Sequence, residues 1–203
     1  LSLFDTEKLN EYISAVKSER INLANNVSDE EIMELMGITV DGVPTLAGVM
    51  TFSKYPQGYF PQLCITAVCI PGLEMGDTDD EQVRFTDNRR ITGPISEMLS
   101  EAVEFVRRNS RYKTIIDRYG KRIDKEEYPI KAVREAVLNA LVHRDYSIYT
   151  ENVPIRIEMY SDRMEIISSG GLYGRITIDS LGKVCPDTRN AALANMLEIL
   201  HIT

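Results

Sequence analysis

The sequence predicts an α+β fold in which helices pack on a mixed β-sheet. Three observations carry that prediction. Helix-period and strand-period segments follow one another without strict βαβ alternation. The segment 94–109 has one apolar face built from Ile95, Met98, Leu99, Ala102, Phe105 and Val106, which is the pattern of a helix lying on a core. The segment 62–70 reads as a buried strand, and 153–160 as a strand that a turn joins to the next one. With 203 residues, 43% hydrophobic and 27% charged, the chain has a globular composition and enough length for one large domain or two small ones.

Each element follows from local chemistry. Residues 5–19 form a helix with Leu9, Tyr12, Ile13 and Val16 on one face. Ser28 and Glu31 make a capping box that opens a short helix ending at Gly37. Residues 43–53 are apolar and small, and Pro44 is placed to open a helix there. Residues 55–61 are a Pro/Gly turn, 62–70 a buried strand, 72–81 an acidic loop and 83–91 a strand. After the 94–109 helix, residues 111–127 form a hairpin turning at Tyr119-Gly120. A helix at 129–144 precedes strands at 153–160 and 164–168, joined by a turn at Ser161-Asp162. The second strand runs into Ser168-Ser-Gly-Gly-Leu-Tyr-Gly174. Residues 177–181 are a short turn or helix, and 189–200 a helix. A boundary within 75–93 divides the chain into residues 1–92 and 93–203.

Composition excludes several functions. No apolar run is long enough to span a bilayer as a helix, and no signal-peptide pattern occurs, so a cytoplasmic protein without a membrane partner is expected. Cys64, Cys69 and Cys185 fit no zinc spacing and read as small buried hydrophobes in a reducing compartment. A net charge of −8 argues against general binding to phosphate backbones. Arg107, Arg108, Arg111, Lys113, Arg118, Lys121 and Arg122 nevertheless crowd one region, which reads as a solvated charged hairpin and leaves room for a local patch. The chain starts at Leu1 without methionine and stops at Thr203 after an apolar helix, so a fragment of a longer protein is expected.

The helix at 129–144 carries the candidate chemistry. Glu135, Asn139 and His143 are spaced four apart and form one slowly turning stripe. The surrounding Ala132, Val133, Ala136, Val137, Leu138, Ala140, Leu141 and Val142 predict burial on more than one side. The stripe either satisfies the core or faces a ligand. A carboxamide oxygen suits Mg²⁺, and a carboxylate one turn away can orient or deprotonate water. Glycines in the loop after the second strand let a backbone approach a ligand, or simply make a tight turn. His143 reads as structural, Asp145 as a partner of Arg144 or a cap of the next turn, and Asn190 as a cap of the last helix. His143-Arg-Asp145 is no kinase loop, because Thr150 stands where a kinase has Asn. No Gly-x-x-x-x-Gly-Lys-Ser/Thr loop is present.

The run from Arg134 to Tyr146 resembles the N-box of a divergent branch of the GHKL (Bergerat-fold) ATPases. That branch occurs in bacterial transcriptional regulators often labelled RecG-like or Schlafen-AlbA-type. Thr45-Leu-Ala-Gly48 with Phe52, Phe60-Pro61, Asp162-Arg163 with Glu165-Ile166, Gly170-Gly-Leu172 and Arg189-Asn190 are similar to the same family, so the resemblance covers nearly the whole chain. It implies a Bergerat-type arrangement in the C-terminal part, incomplete at its end, and ATP with Mg²⁺ as cofactors. Glu135 matches the N-box Glu, the candidate general base, and Asn139 the Mg²⁺ ligand. Ser168 to Gly174, with Gly170 and Gly171, matches the adenine-binding box, although Ser168 or Ser169 stands where the family has Asp. A hydroxyl can still accept the adenine amino hydrogen bond, without charge. The family's later glycine-rich lid box does not occur within the 203 residues. The resemblance therefore implies a nucleotide-binding regulatory module, non-catalytic here, that reaches DNA through segments outside the chain. A dimerisation or other structural module that has lost the nucleotide, and an active Mg-dependent ATPase, are the alternatives.

Overall fold

The computed structural model describes residues 3–116, 118–120, 122–180, 183–184 and 187–202. Helix α1 (Thr6–Glu19) is capped by the Asp5 carboxylate, which accepts from the backbone of Glu7 and Lys8. A short α2 (Ile21–Asn26) follows, unforeseen from sequence because it has no capping side chain to announce it. Helix α3 (Asp29–Leu35) starts with both bonds of the Ser28–Glu31 capping box in place.

Strands β1 (Thr39–Val40) and β2 (Val43–Pro44) make a small ribbon. Pro44 therefore ends a strand instead of opening a helix. Helix α4 (Leu46–Phe52) is opened by Thr45, whose hydroxyl accepts from the Gly48 N–H.

The main sheet consists of β3 (Ile65–Cys69), β4 (Asp87–Ile91), β7 (Ile155–Met159) and β8 (Met164–Ile167), in the order β4-β3-β7-β8. The β3–β7 pair is parallel and the two outer pairs antiparallel, which makes the sheet mixed as expected. In register, Ile65 lies beside Ile155, Ala67 beside Ile157 and Cys69 beside Met159. This pairing joins residues on either side of the expected 92/93 boundary into one sheet.

Helices α5 (Ile95–Asn109) and α6 (Ile130–His143) cover the sheet. All six residues read as the inner face of α5 are buried. Between these helices, β5 (Tyr112–Ile116) and β6 (Arg122–Glu126) form the hairpin, a separate two-stranded sheet whose turn holds Gly120 at φ 76°.

A 3-10 turn at Ile178–Ser180 occupies most of the 177–181 segment, with Leu181 outside the described residues. Helix α7 (Ala191–Ile199) joins two hydrophobic clusters. Its Leu193 and Leu197 face the cluster under the sheet, with Ile65, Phe105, Val137 and Ile157. Its Met196 and Ile199 face a second cluster with Tyr12, Ile32 and Phe52. Leu193 and Leu197 are four apart and Met196 and Ile199 three apart, so each pair forms a stripe along one side of α7. Cys64 is buried and Cys69 partly buried; Cys185 lies outside the described residues.

Candidate functional site

Helix α6 buries one side only. Val133, Val137, Leu138, Leu141 and Val142 are buried, whereas Ala132, Glu135, Ala136, Asn139 and His143 are exposed. The expectation of burial on more than one side fails because alanine methyls add little apolar area, and the branched residues alone set the inward face. The Glu135–Asn139–His143 stripe is thus open to solvent. It satisfies no core. Within it, the Asn139 Nδ2 amide donates to Glu135 Oε1 at 3.2 Å. That bond fixes the carboxamide so that its oxygen is the end left for another partner.

The strand-to-glycine loop meets the far end of α6. Ser168 Oγ donates to the Ala140 carbonyl at 3.0 Å, one residue past Asn139. A hydroxyl that gives its proton to the helix keeps its lone pairs for an incoming donor. Next, the Asp145 N–H donates to the Ser169 carbonyl at 2.8 Å. Gly170 then passes so close that a Cβ there would lie 3.0 Å from Asp145 Cβ and 3.1 Å from Arg189 Nη1.

Beyond Gly170 the loop turns away from α6 toward the start of α7. Arg189 Nη2 donates to the Gly171 carbonyl at 2.9 Å, its guanidinium lies 4.9 Å from the Tyr173 ring centre, and its Nη1 is 3.6 Å from Asp145 Oδ2. Asp187 accepts from the Arg175 backbone N–H and from its guanidinium Nε and Nη2. Ser168 and Gly170 are therefore brought to α6, while Gly171 and Gly174 are held by residues that precede α7.

Arg175 donates to Asp187 first through its side chain and then through its backbone, and these bonds hold the Asp187 carboxyl down to about 2. The folded value is depressed. The clasp's contribution is accordingly complete above the ordinary carboxylate range and is lost as pH falls through about 2. A carbon-detected NMR titration should give Asp187 a midpoint near 2, which moves up in Arg175→Ala.

Sequence reasoning missed the roles of the residues that brace α6. Arg144 is buried, at 2% exposure, and of the two roles expected for Asp145, partner of Arg144 or cap of the next turn, the structure has the cap. Its guanidinium donates to the Thr150 carbonyl at 2.9 Å and the Val153 carbonyl at 2.8 Å, and lies 5.0 Å from the Tyr146 ring centre. Asp145 instead caps the following turn by accepting from the Ser147 N–H at 2.9 Å, and this bond lowers its carboxyl pKa. Asn190 sits at the N-cap of α7 but does not cap it with its side chain. Its amide donates to the Val142 carbonyl at 2.7 Å and the Arg144 carbonyl at 2.9 Å, closing the C-terminal end of α6. His143 is exposed in the last turn.

A cavity of about 400 Å³ lies elsewhere, between α4 and α7, lined by Thr45, Leu46, Met50, Tyr146, Ala191 and Leu193 among others. Among the described residues no group of three or more His, Cys, Asp or Glu could hold a metal. A Mg²⁺ ion would therefore be held by few protein oxygens, with water and phosphate supplying the rest, which is how Mg²⁺ is ordinarily bound. The open Asn139 carboxamide beside Glu135 fits that mode. No helix of the described residues is long and apolar enough to cross a membrane.

An α+β layer with an exposed polar helix and a braced glycine loop is consistent with an ATPase-like region. Residues 152–203 match the family described as "Putative ATP-dependent DNA helicase recG C-terminal". The match begins after α6, so the glycine loop lies inside it and Glu135 and Asn139 outside. The crystal structure of the DIP2311 protein from Corynebacterium diphtheriae is similar in fold, with TM-score 0.63 and 19% identity. The similarity covers 98% of this chain and 39% of that one, so the chain spans well under half of that protein's length. No curated protein matches the chain.

Proposed function

We propose that the chain is a nucleotide-binding regulatory module of a bacterial transcriptional regulator, taking ATP with Mg²⁺ and not turning it over. The observation that supports this most is the solvent-open Glu135–Asn139 pair on α6, with Ser168 bonded to the same helix one residue further on. In this reading Asn139 is the protein ligand to Mg²⁺, Ser168 accepts from the base, and the backbone of Gly170, Gly171 and Gly174 lines the nucleotide. Magnesium would neutralise phosphate charge there. Glu135 is the candidate general base. Its carboxylate is already engaged by the Asn139 amide, which supports binding without hydrolysis. DNA contact by the longer protein and a regulatory readout belong to the same proposal.

Isothermal titration of the chain with ATP in the presence of Mg²⁺ should give saturable heat. Asn139→Ala should weaken Mg-dependent binding at least about tenfold, as loss of a metal contact does. No heat at millimolar nucleotide would sink the reading and leave a structural module. Steady phosphate release abolished by Glu135→Ala would instead establish an active ATPase.

A further inference from the structure

We infer that the cavity between α4 and α7 binds a small, uncharged and largely apolar molecule that carries a hydrogen-bond donor. The inference does not rest on the nucleotide reading, because Glu135, Asn139 and the glycine loop do not line this cavity. Its volume of about 400 Å³ lies within the range of small-molecule sites, roughly 300–1,000 Å³. It is far larger than the water-sized voids of a packed interior.

The sequence opens the space. Helix α4 turns Leu46, Ala47 and Met50 to one side, and α7 meets them with its first turn, Ala191, Ala192 and Leu193. Met50 and Leu193 are buried and form the floor. Ala191 and Ala192 are exposed and stand at the mouth. Further along, Val49 and Phe52 of α4 join Met196 and Ile199 of α7 in one hydrophobic cluster. The two helices are therefore held together at one end without closing over the cavity. Methyl groups at Ala47, Ala191 and Ala192 leave the room that longer side chains would fill.

The lining sets the chemistry of the ligand. Among the described residues ten line the cavity, and none is Asp, Glu, His, Lys or Arg. A charged ligand would give up its hydration with no opposite charge to meet it. The polar side chains in the wall are mostly committed within the protein. Thr45 Oγ1 donates to the Gly37 carbonyl at 2.7 Å and accepts from the Gly48 N–H at 3.0 Å. The Tyr146 hydroxyl donates to the Leu141 carbonyl at 2.7 Å. Asn190 is the exception. Its Nδ2 donates to the Val142 and Arg144 carbonyls, and among the described residues no donor reaches its Oδ1. An amide oxygen only accepts, so the ligand supplies the proton. A single polar anchor among apolar walls fixes orientation while burial supplies affinity.

The test uses N-phenyl-1-naphthylamine, which is uncharged, apolar apart from one N–H donor, and brightens on leaving water. Titrated into the chain, it should give a saturable rise in fluorescence at one molecule per chain. 1-Benzylnaphthalene keeps the shape without the N–H and should compete about fivefold more weakly, as loss of one neutral hydrogen bond implies. 8-Anilinonaphthalene-1-sulfonate adds a charge to the same skeleton and should bind at least about tenfold more weakly. Ala191→Phe sets a ring in the mouth and should weaken the probe by about tenfold or more. Its melting temperature should match the parent, because position 191 is exposed. Ser100→Phe, exposed on α5, should leave probe binding unchanged. The comparison of the three compounds on the parent chain decides the matter even if Ala191→Phe does not fold. The inference is overturned if the probe does not saturate, or if a folded Ala191→Phe binds it as the parent does. It is equally overturned if the sulfonate binds as tightly, which would make the start of α7 an anion site. Displacement of the probe by ATP with Mg²⁺ would place it in the nucleotide site, and its expulsion at high protein concentration would give the cavity to a second copy; either overturns the inference.

Discussion

Arg144→Met is expected to remove about 3 kcal/mol of folding stability, because a hydrogen bond from a charged donor contributes roughly 1.5–3 kcal/mol. Two such bonds, to the Thr150 and Val153 carbonyls, come from the Arg144 guanidinium. The competing effect is real: replacing buried charge with a hydrophobe of similar volume often stabilises a protein, since desolvation is recovered. That recovery occurs when both charged partners are removed together. Here the partners are backbone carbonyls in the connection from α6 to β7, and they stay. The connection is otherwise held by short local bonds, such as the Thr150 hydroxyl donating to the Asp145 carbonyl at 2.6 Å. Arg144→Lys should recover only part of the loss, because an ammonium offers no planar fork for two carbonyls and stacks poorly on Tyr146. Urea unfolding decides the matter. A midpoint lowered by roughly 1–2 M is expected for a loss of about 3 kcal/mol. A loss below about 1 kcal/mol would mean that water replaces the guanidinium.

The same residue shows where the sequence stopped being legible. The elements themselves could be read: strands β3, β4, β7 and β8 lie inside the segments expected for them, and α5 buries the predicted residues. Those signals are local, set by periodicity and caps. What could not be read depends on groups distant in sequence. An arginine at a helix end looks solvated until carbonyls six and nine residues later fold over it. Asn190 looks like a helix cap until α7 lies against the end of α6, 48 residues earlier. The exposure of Glu135 and Asn139 was hidden for a different reason: Ala132 and Ala136 count as apolar in a pattern while contributing little to burial. The polar spacing was legible, but not the side of the helix on which it stands.

Gly170→Val and Gly171→Val should separate the architecture of the glycine loop from its ligand contact. Gly170 has φ 105°, which a β-branched residue does not adopt without strain, and its added Cβ would press on Asp145 and Arg189. Strain of roughly 1–3 kcal/mol is the first cost of that substitution. The second is displacement of the Asp145–Ser169 bond at 2.8 Å and the Arg189–Gly171 bond at 2.9 Å, which tie the loop to α6 and α7. A total near 3 kcal/mol corresponds to a melting temperature lower by about 6–12 °C in a domain of this size. Gly171 is the internal control. It is exposed, lies outside the left-handed region, and a Cβ there meets nothing within 4 Å, so Gly171→Val should shift stability by less than about 0.5 kcal/mol. If the loop backbone lies against a nucleotide, Gly171→Val loses binding heat while melting as the parent does, because its side chain fills the space the ligand needs. Equal melting temperatures for the two variants would show that Gly170 is not the pivot of the loop. A Gly171→Val protein that binds ATP as the parent does would move the nucleotide away from this loop, while leaving intact the bracing by Arg189 and Asn190.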